Sequence, residues 1–218
     1  MKPNVQIYDT TLRDGTQSEG ISFSKTDKVR IAERLDHFGV AYIEGGWPGS
    51  NPTDMAFFEL IRKRSLSHAK VTAFGSTRRA KHTPEQDPNL QTLLEAETQA
   101  VTIFGKAWLL HVHDVLRIAP DENLKLVEDS CRYLKDHDRE VIFDAEHFFD
   151  GYRDDRTFAL AVLDKAVEGG ARTVVLCDTN GGMLPGDIET ITQDVRKHLD
   201  DRAALGIHCH NDINCALA

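Results

Sequence analysis

Cysteine is scarce and unpatterned. The four in 218 residues, Cys131, Cys177, Cys209 and Cys215, form no CxxC pair and fall short of the density of a disulfide scaffold. A reduced, cytoplasmic setting is the expectation. No apolar run reaches the roughly 18 residues of a membrane-spanning helix, and Met1–Gln6 lacks the basic-then-apolar order of a secretory leader. Positive charge is in deficit as well. Against 35 Asp and Glu stand 26 Lys and Arg, a formal net charge of −9, which argues against non-specific binding to nucleic acid or an anionic membrane. Two phosphate-binding signatures are missing: no GxGxxG follows the first apolar run, and GxxxxGK[ST] does not occur. No Pro/Gly/Ser-rich linker, low-complexity tract or long charge run marks a boundary, so 1–218 reads as one domain.

What is present is alternation. Short β-branched apolar runs at Val5–Thr10, Ala41–Gly45, Val71–Gly75, Val101–Phe104, Val141–Ala145, Thr173–Cys177 and Leu205–His208 read as seven strands. Amphipathic stretches separate them: Ser24–Phe38, Thr53–Arg64, Asn89–Gln99, Asp121–Lys135, Arg156–Glu168 and Gly186–Leu199. In the first, Ser24 and Asp27 suggest a capping arrangement, Ile31, Leu35 and Phe38 share a face, and Gly39 supplies a stop. The pattern is the βαβα order of an α/β protein with a parallel sheet. Near copies at Val71–Gly75 and Val101–Gly105 suit repeated βα units. Polar groups collect where the apolar runs end: Asp9 to Asp14, Glu44, Asp144 with Glu146, Asp178 with Thr179, and His208 to Asp212. In a (β/α)8 TIM barrel those ends meet on one face, where active sites sit. That is the predicted fold. A complete barrel takes about 250 residues, so the expectation is a barrel cut short after its seventh strand.

Chemistry is concentrated in two segments. His208-Cys209-His210-Asn211-Asp212 ends an apolar run, and on a strand the two histidines project to one side, able to meet one ion, while Cys209 faces the other and reads as packing. Taken alone the pair is equally compatible with two histidines in ordinary hydrogen bonds. His111-Val112-His113-Asp114 has the same spacing but follows Trp108-Leu109-Leu110, in a loop or first helical turn, and is the weaker candidate for metal contact. The second segment is Asp9-Thr10-Thr11-Leu12-Arg13-Asp14-Gly15-Thr16-Gln17. Its Asp–Arg neighbours suit a solvated ion pair; equally, a carboxylate from here with two imidazoles makes a Lewis-acid site with positions left for a chelating oxyacid. Mixed nitrogen and oxygen donors suit zinc, manganese or cobalt, with magnesium admissible.

Leu12-Arg13-Asp14-Gly15-Thr16-Gln17, followed by Lys28, together with Leu205-Gly206-Ile207-His208-Cys209-His210-Asn211-Asp212, resembles the paired signatures of the citramalate, 2-isopropylmalate and homocitrate synthases. These belong to a wider metal-dependent barrel superfamily that includes hydroxymethylglutaryl-CoA lyase. Ile43–Pro52, Thr102–Lys106 and Phe143–Tyr152 resemble the citramalate synthase branch, so the likeness covers the whole chain. The chain departs from the pattern at Asn214, where many of these synthases have glycine.

The resemblance implies Asp14, His208 and His210 as metal ligands, Arg13 as the group that neutralises charge on the keto-acid oxygen, Glu146 as the active-site glutamate and Thr179 as the holder of the keto-acid carboxylate. Glu44 corresponds to an acid that lyase relatives use; Asp9 would orient Arg13 or its loop. The activity implied is condensation of acetyl-CoA with pyruvate to (R)-citramalate, in isoleucine biosynthesis. The alternatives are 2-isopropylmalate or homocitrate synthesis, or a barrel piece that only binds metal or a partner chain. A homodimer is the implied assembly.

Overall fold

The computed structural model describes residues 5–218; the first four residues of the domain read as 1–218 lie outside the described residues. Seven strands, β1 (Tyr8–Asp9), β2 (Tyr42–Gly46), β3 (Lys70–Ser76), β4 (Ala100–Lys106), β5 (Glu140–Glu146), β6 (Thr173–Asp178) and β7 (Ala204–Cys209), form a sheet whose spatial order is their chain order. The β1–β2, β2–β3, β5–β6 and β6–β7 pairings are parallel. A doubly wound sheet would reverse its order at a switch point. Unreversed order with helical connections defines the TIM-barrel type that the sequence predicts. Those connections are α1 (Lys25–Phe38), α2 (Pro52–Ile61), α3 (Pro88–Glu95), α4 (Leu109–His111), α5 (Pro120–Asp136), α6 (Phe148–Asp154), α7 (Arg156–Glu168) and α8 (Pro185–Leu199). The chain divides into two compact units: one runs to Gly75 and takes up Pro88–Thr102, the other comprises Ser76–Asp87 and Ile103–Ala218.

In the first unit, α1 opens with the expected capping box, Ser24 and Asp27 each accepting from the other's backbone N–H, and closes on Gly39 at φ 91°. Its buried face differs from the expected one. Lys28, Val29, Ala32 and Asp36 turn inward, while Phe38 is 84% exposed. The helix is rotated by two buried charges that need partners. Lys28 ion-pairs with Asp54 on α2 and donates to the Gly45 carbonyl at 3.0 Å. Asp36 accepts from the amides of Ser67, His68 and Ala69, each at 2.8 Å. Burial alone would raise its pKa, but the three donors together hold the carboxyl below the usual carboxylate range. The predicted strand Val5–Thr10 contracts to Tyr8–Asp9, since Val5 and Ile7 are exposed and β1 pairs only with β2 among the described strands.

In the second unit, α5 and α7 cover β5 and β6 with Leu134, Leu163 and Phe143, all fully buried. Among the described residues no cysteine is in a disulfide, and burial pushes the Cys131 thiol far up. Two helical segments go beyond the sequence pattern: α6, and α4, expected only as a loop or first helical turn, which continues as a π-helical turn over Val112–Leu116. Phe148 and Phe149, which by propensity favour strand, are drawn into α6 by complete burial. The helix passes so close to Ala107 that a Cβ on Gly151 would come within 2.2 Å of its carbonyl oxygen. Among the described residues, no helix is long and apolar enough to cross a membrane.

Candidate active site

In the first unit the site is built around Arg13. The turn after β1 is tied by Arg13 and Gly15 amides donating to the Thr10 carbonyl, and by the Asp9 carboxylate accepting from the Thr11 amide at 3.0 Å. Asp9 thus orients the loop, one of the two roles expected of it. The turn sets Arg13 at the mouth of a short 3-10 helix, Asp14–Gln17. Three groups then fix the guanidinium: Nε donates to Glu44 Oε1 at 2.5 Å, Nη1 to Asp14 Oδ1 at 3.2 Å, and the Phe74 ring lies 3.8 Å beneath it, a cation–π contact. Glu44 is fully buried on β2 and also accepts from the Tyr8 hydroxyl at 2.6 Å.

That hydroxyl shares hydrogen bonds with Thr72 and Thr102 at 2.9 and 2.7 Å, so four successive strands contribute to one buried polar belt. The near-copied segments explain half of it. Each places a threonine at its second position, and both threonines reach the same tyrosine oxygen. Tyr8, Thr72, Thr102 and Phe74 carry no local signature in the sequence beyond the period of two along β3, which puts Thr72 and Phe74 on one side.

In the second unit, Glu146 ends β5 and is ion-paired with Lys106, which ends β4. Lys106 lies in the Thr102–Lys106 stretch that resembles the citramalate synthase branch. Thr179, one residue past β6, accepts from the His147 amide at 2.9 Å. That amide is aimed by an unusual backbone: His147 sits in the left-handed region at φ 55°. Asp178 is not spare acid, for its carboxylate accepts from the amides of Gly182 and Met183 and closes the loop after β6.

His208 and His210 lie side by side at the end of β7, ring centroids 5.1 Å apart and planes inclined by 32°. The His210 amide donates to the Asp178 carbonyl, and Gly181, at φ +58°, leaves room for Asp212, whose carboxylate oxygen lies 2.3 Å from where a Cβ would stand. Asn214 is also left-handed, at φ 60°, a conformation glycine adopts freely and asparagine tolerates, so the departure from the family pattern preserves the turn. Two neighbouring imidazoles at one strand end have the chemistry of a divalent-metal donor set, with a carboxylate still required. His111 is different: it packs on Trp108 and, edge to face at 4.4 Å, on His147. Its Nδ1 is buried without a hydrogen-bond partner, and burial, then the neighbouring His147 and Lys106, lower its pKa.

A sheet in unreversed order with helical connections is that of a TIM-type barrel, a fold whose active sites form at the C-terminal ends of the strands. Residues 4–218 match the HMGL-like family model, and the chain belongs to that family. It is 58% identical, over 98% of its own length, to an (R)-citramalate synthase of Geobacter sulfurreducens and 55% identical, over its full length, to that of Aquifex aeolicus. It spans about two fifths of those relatives, 40% and 41%. Among solved structures, a hydroxymethylglutaryl-CoA lyase of Bacillus subtilis superposes with a TM-score of 0.76 at 20% identity, over 98% of this chain and 70% of the lyase, which speaks to the fold.

Proposed function

We propose that the chain carries catalytic groups of an acyl-CoA-dependent 2-oxo-acid acyltransferase that condenses acetyl-CoA with pyruvate to (R)-citramalate. The observation that carries this reading is the His208–His210 pair at a strand end, in a chain this similar to (R)-citramalate synthases. Asp14, His208 and His210 are proposed as ligands of one divalent ion, zinc, manganese, cobalt or magnesium by donor chemistry. When bound, such an ion supplies Lewis-acid polarisation of the acceptor carbonyl.

The remaining steps belong to side chains. Arg13 neutralises the alkoxide that forms as the acetyl methyl carbon attacks the keto carbon; Glu44 and Phe74 hold its guanidinium in advance, so little reorganisation is needed at the transition state. Thr179 receives the His147 N–H on its oxygen, which leaves its own hydroxyl proton to donate to the acceptor carboxylate. Glu146, steadied by Lys106, is the carboxylate at hand for moving a proton through water. Hydrolysis of the thioester then releases free CoA.

The test is CoA release by the intact protein with acetyl-CoA and competing 2-oxo acids. Preference for pyruvate is expected. Strong preference for 2-oxoisovalerate would replace citramalate by 2-isopropylmalate synthesis, and metal binding with no CoA release from any acceptor would leave a metal-binding barrel piece.

A further inference from the structure

Side chains two apart on a strand share a face, so β5, β6 and β7 stack their polar residues in two tiers. Glu146, Thr179 and His210 form the tier at the C-terminal ends and enter the proposed reaction. One step below lie Asp144, Cys177 and His208. Asp144 and Cys177 are 7% and 6% exposed. One carboxylate oxygen of Asp144, the Cys177 sulfur and one ring nitrogen of His208 all lie within 4.8 Å of one another.

We propose that Asp144 is a positioning residue for His208. A buried carboxylate beside an imidazole favours the ring tautomer and orientation that turn an N–H toward it, and it raises the basicity of the opposite nitrogen, the one then presented to a metal. In this arrangement one nitrogen of His208 would face the buried acid and the other would serve the site above. Cys177 is the packing member of the trio. Its sulfur is 3.9 Å from the Val175 carbonyl oxygen, in the sense of a thiol donor. The inference rests on His208 being a metal ligand.

Asp144→Asn in the intact protein keeps the side chain's size and removes its charge. Cobalt affinity by chelator competition is expected to weaken about 10–100-fold, with the visible cobalt bands keeping their intensity because the ligand number is unchanged. The melting temperature of the metal-free protein should not fall in step. Unchanged affinity overturns the proposal, as does loss of affinity explained by loss of the metal-free fold. If Asp144→Asn does not fold, Asp144→Glu and Asp144→Gln compare charge at equal size: tighter cobalt binding by the Glu variant supports the proposal, and equal binding overturns it. A sulfur-to-cobalt charge-transfer band abolished by Cys177→Ser would overturn it differently, by making the trio a ligand set itself. His210→Ala separates the two layers of argument. If it binds cobalt like the wild type, the ligand assignment fails; if it loses cobalt while Asp144→Asn does not, only the role of Asp144 fails.

Discussion

His208-Cys209-His210 and His111-Val112-His113 have one spacing and two outcomes. On β7 the period is two, and the rings of His208 and His210 end side by side. In the α4 and π-helical segment, residues two apart point to different sides: His111 packs against Trp108 and His147, while His113 is exposed. The same letters carry ligand geometry in one place and packing in the other. The backbone decides which.

The largest expected effect lies on the strand pair. His210→Ala should weaken metal binding well beyond the about 10–100-fold typical of an outer partner and abolish CoA release, measured by chelator competition and a thiol assay. His111→Ala is the matched control and should leave metal affinity unchanged. If both variants lose metal equally, the contrast is broken.

Arg13 extends the comparison, because no strand aims it. Its direction comes from a partner, Glu44, and Glu44→Gln removes one side of a buried ion pair. A loss of roughly 3–5 kcal/mol is expected in denaturant unfolding, together with a fall in kcat larger than any change in KM for the acceptor. A variant of wild-type stability and kcat would show that Arg13 is aimed by Phe74 and the turn alone.

These cases also show what was legible in the sequence. Strand order, the cap at Ser24 and the HxHND pair were readable because each rests on local chemistry or on a period that one segment carries by itself. The rotation of α1 was not, for it is set by Asp36 reaching three amides some 30 residues on and by Lys28 reaching Asp54. Nor was the belt of Tyr8, Glu44, Thr72 and Thr102, whose members meet only when four strands lie in register. Glu44, a candidate acid by sequence, holds Arg13 in the structure. Residues that act through a distant partner leave little local trace, and α6, ordered by burial of two phenylalanines against propensity, is the same lesson in backbone form.

His111 offers a smaller, pH-dependent test. Its folded pKa is lowered below the unfolded value of about 6.5, by burial first and then by its charged neighbours. The unfolded chain therefore binds the proton more readily. The stability that neutral His111 contributes is complete above about pH 6.5 and is lost as pH falls from there through the folded pKa. Thermal melts at pH 7 and pH 5 should show the wild type's advantage over His111→Gln shrinking at the lower pH. An advantage that stays constant or grows would mean that the folded pKa of His111 is not lowered, and the burial account would be wrong.

His113 should respond least. It shares its spacing to His111 with the proposed metal pair, yet it is exposed on the π-helical turn, and its side chain makes no hydrogen bond or ring contact with the described residues. Exposed substitutions away from such contacts usually change stability by no more than about 0.5 kcal/mol. His113→Ala should therefore match the wild type in melting temperature, in cobalt affinity and in CoA release. A loss of metal from this variant would mean that the HxH spacing binds an ion even on a helical turn, so that backbone period does not decide ligand geometry.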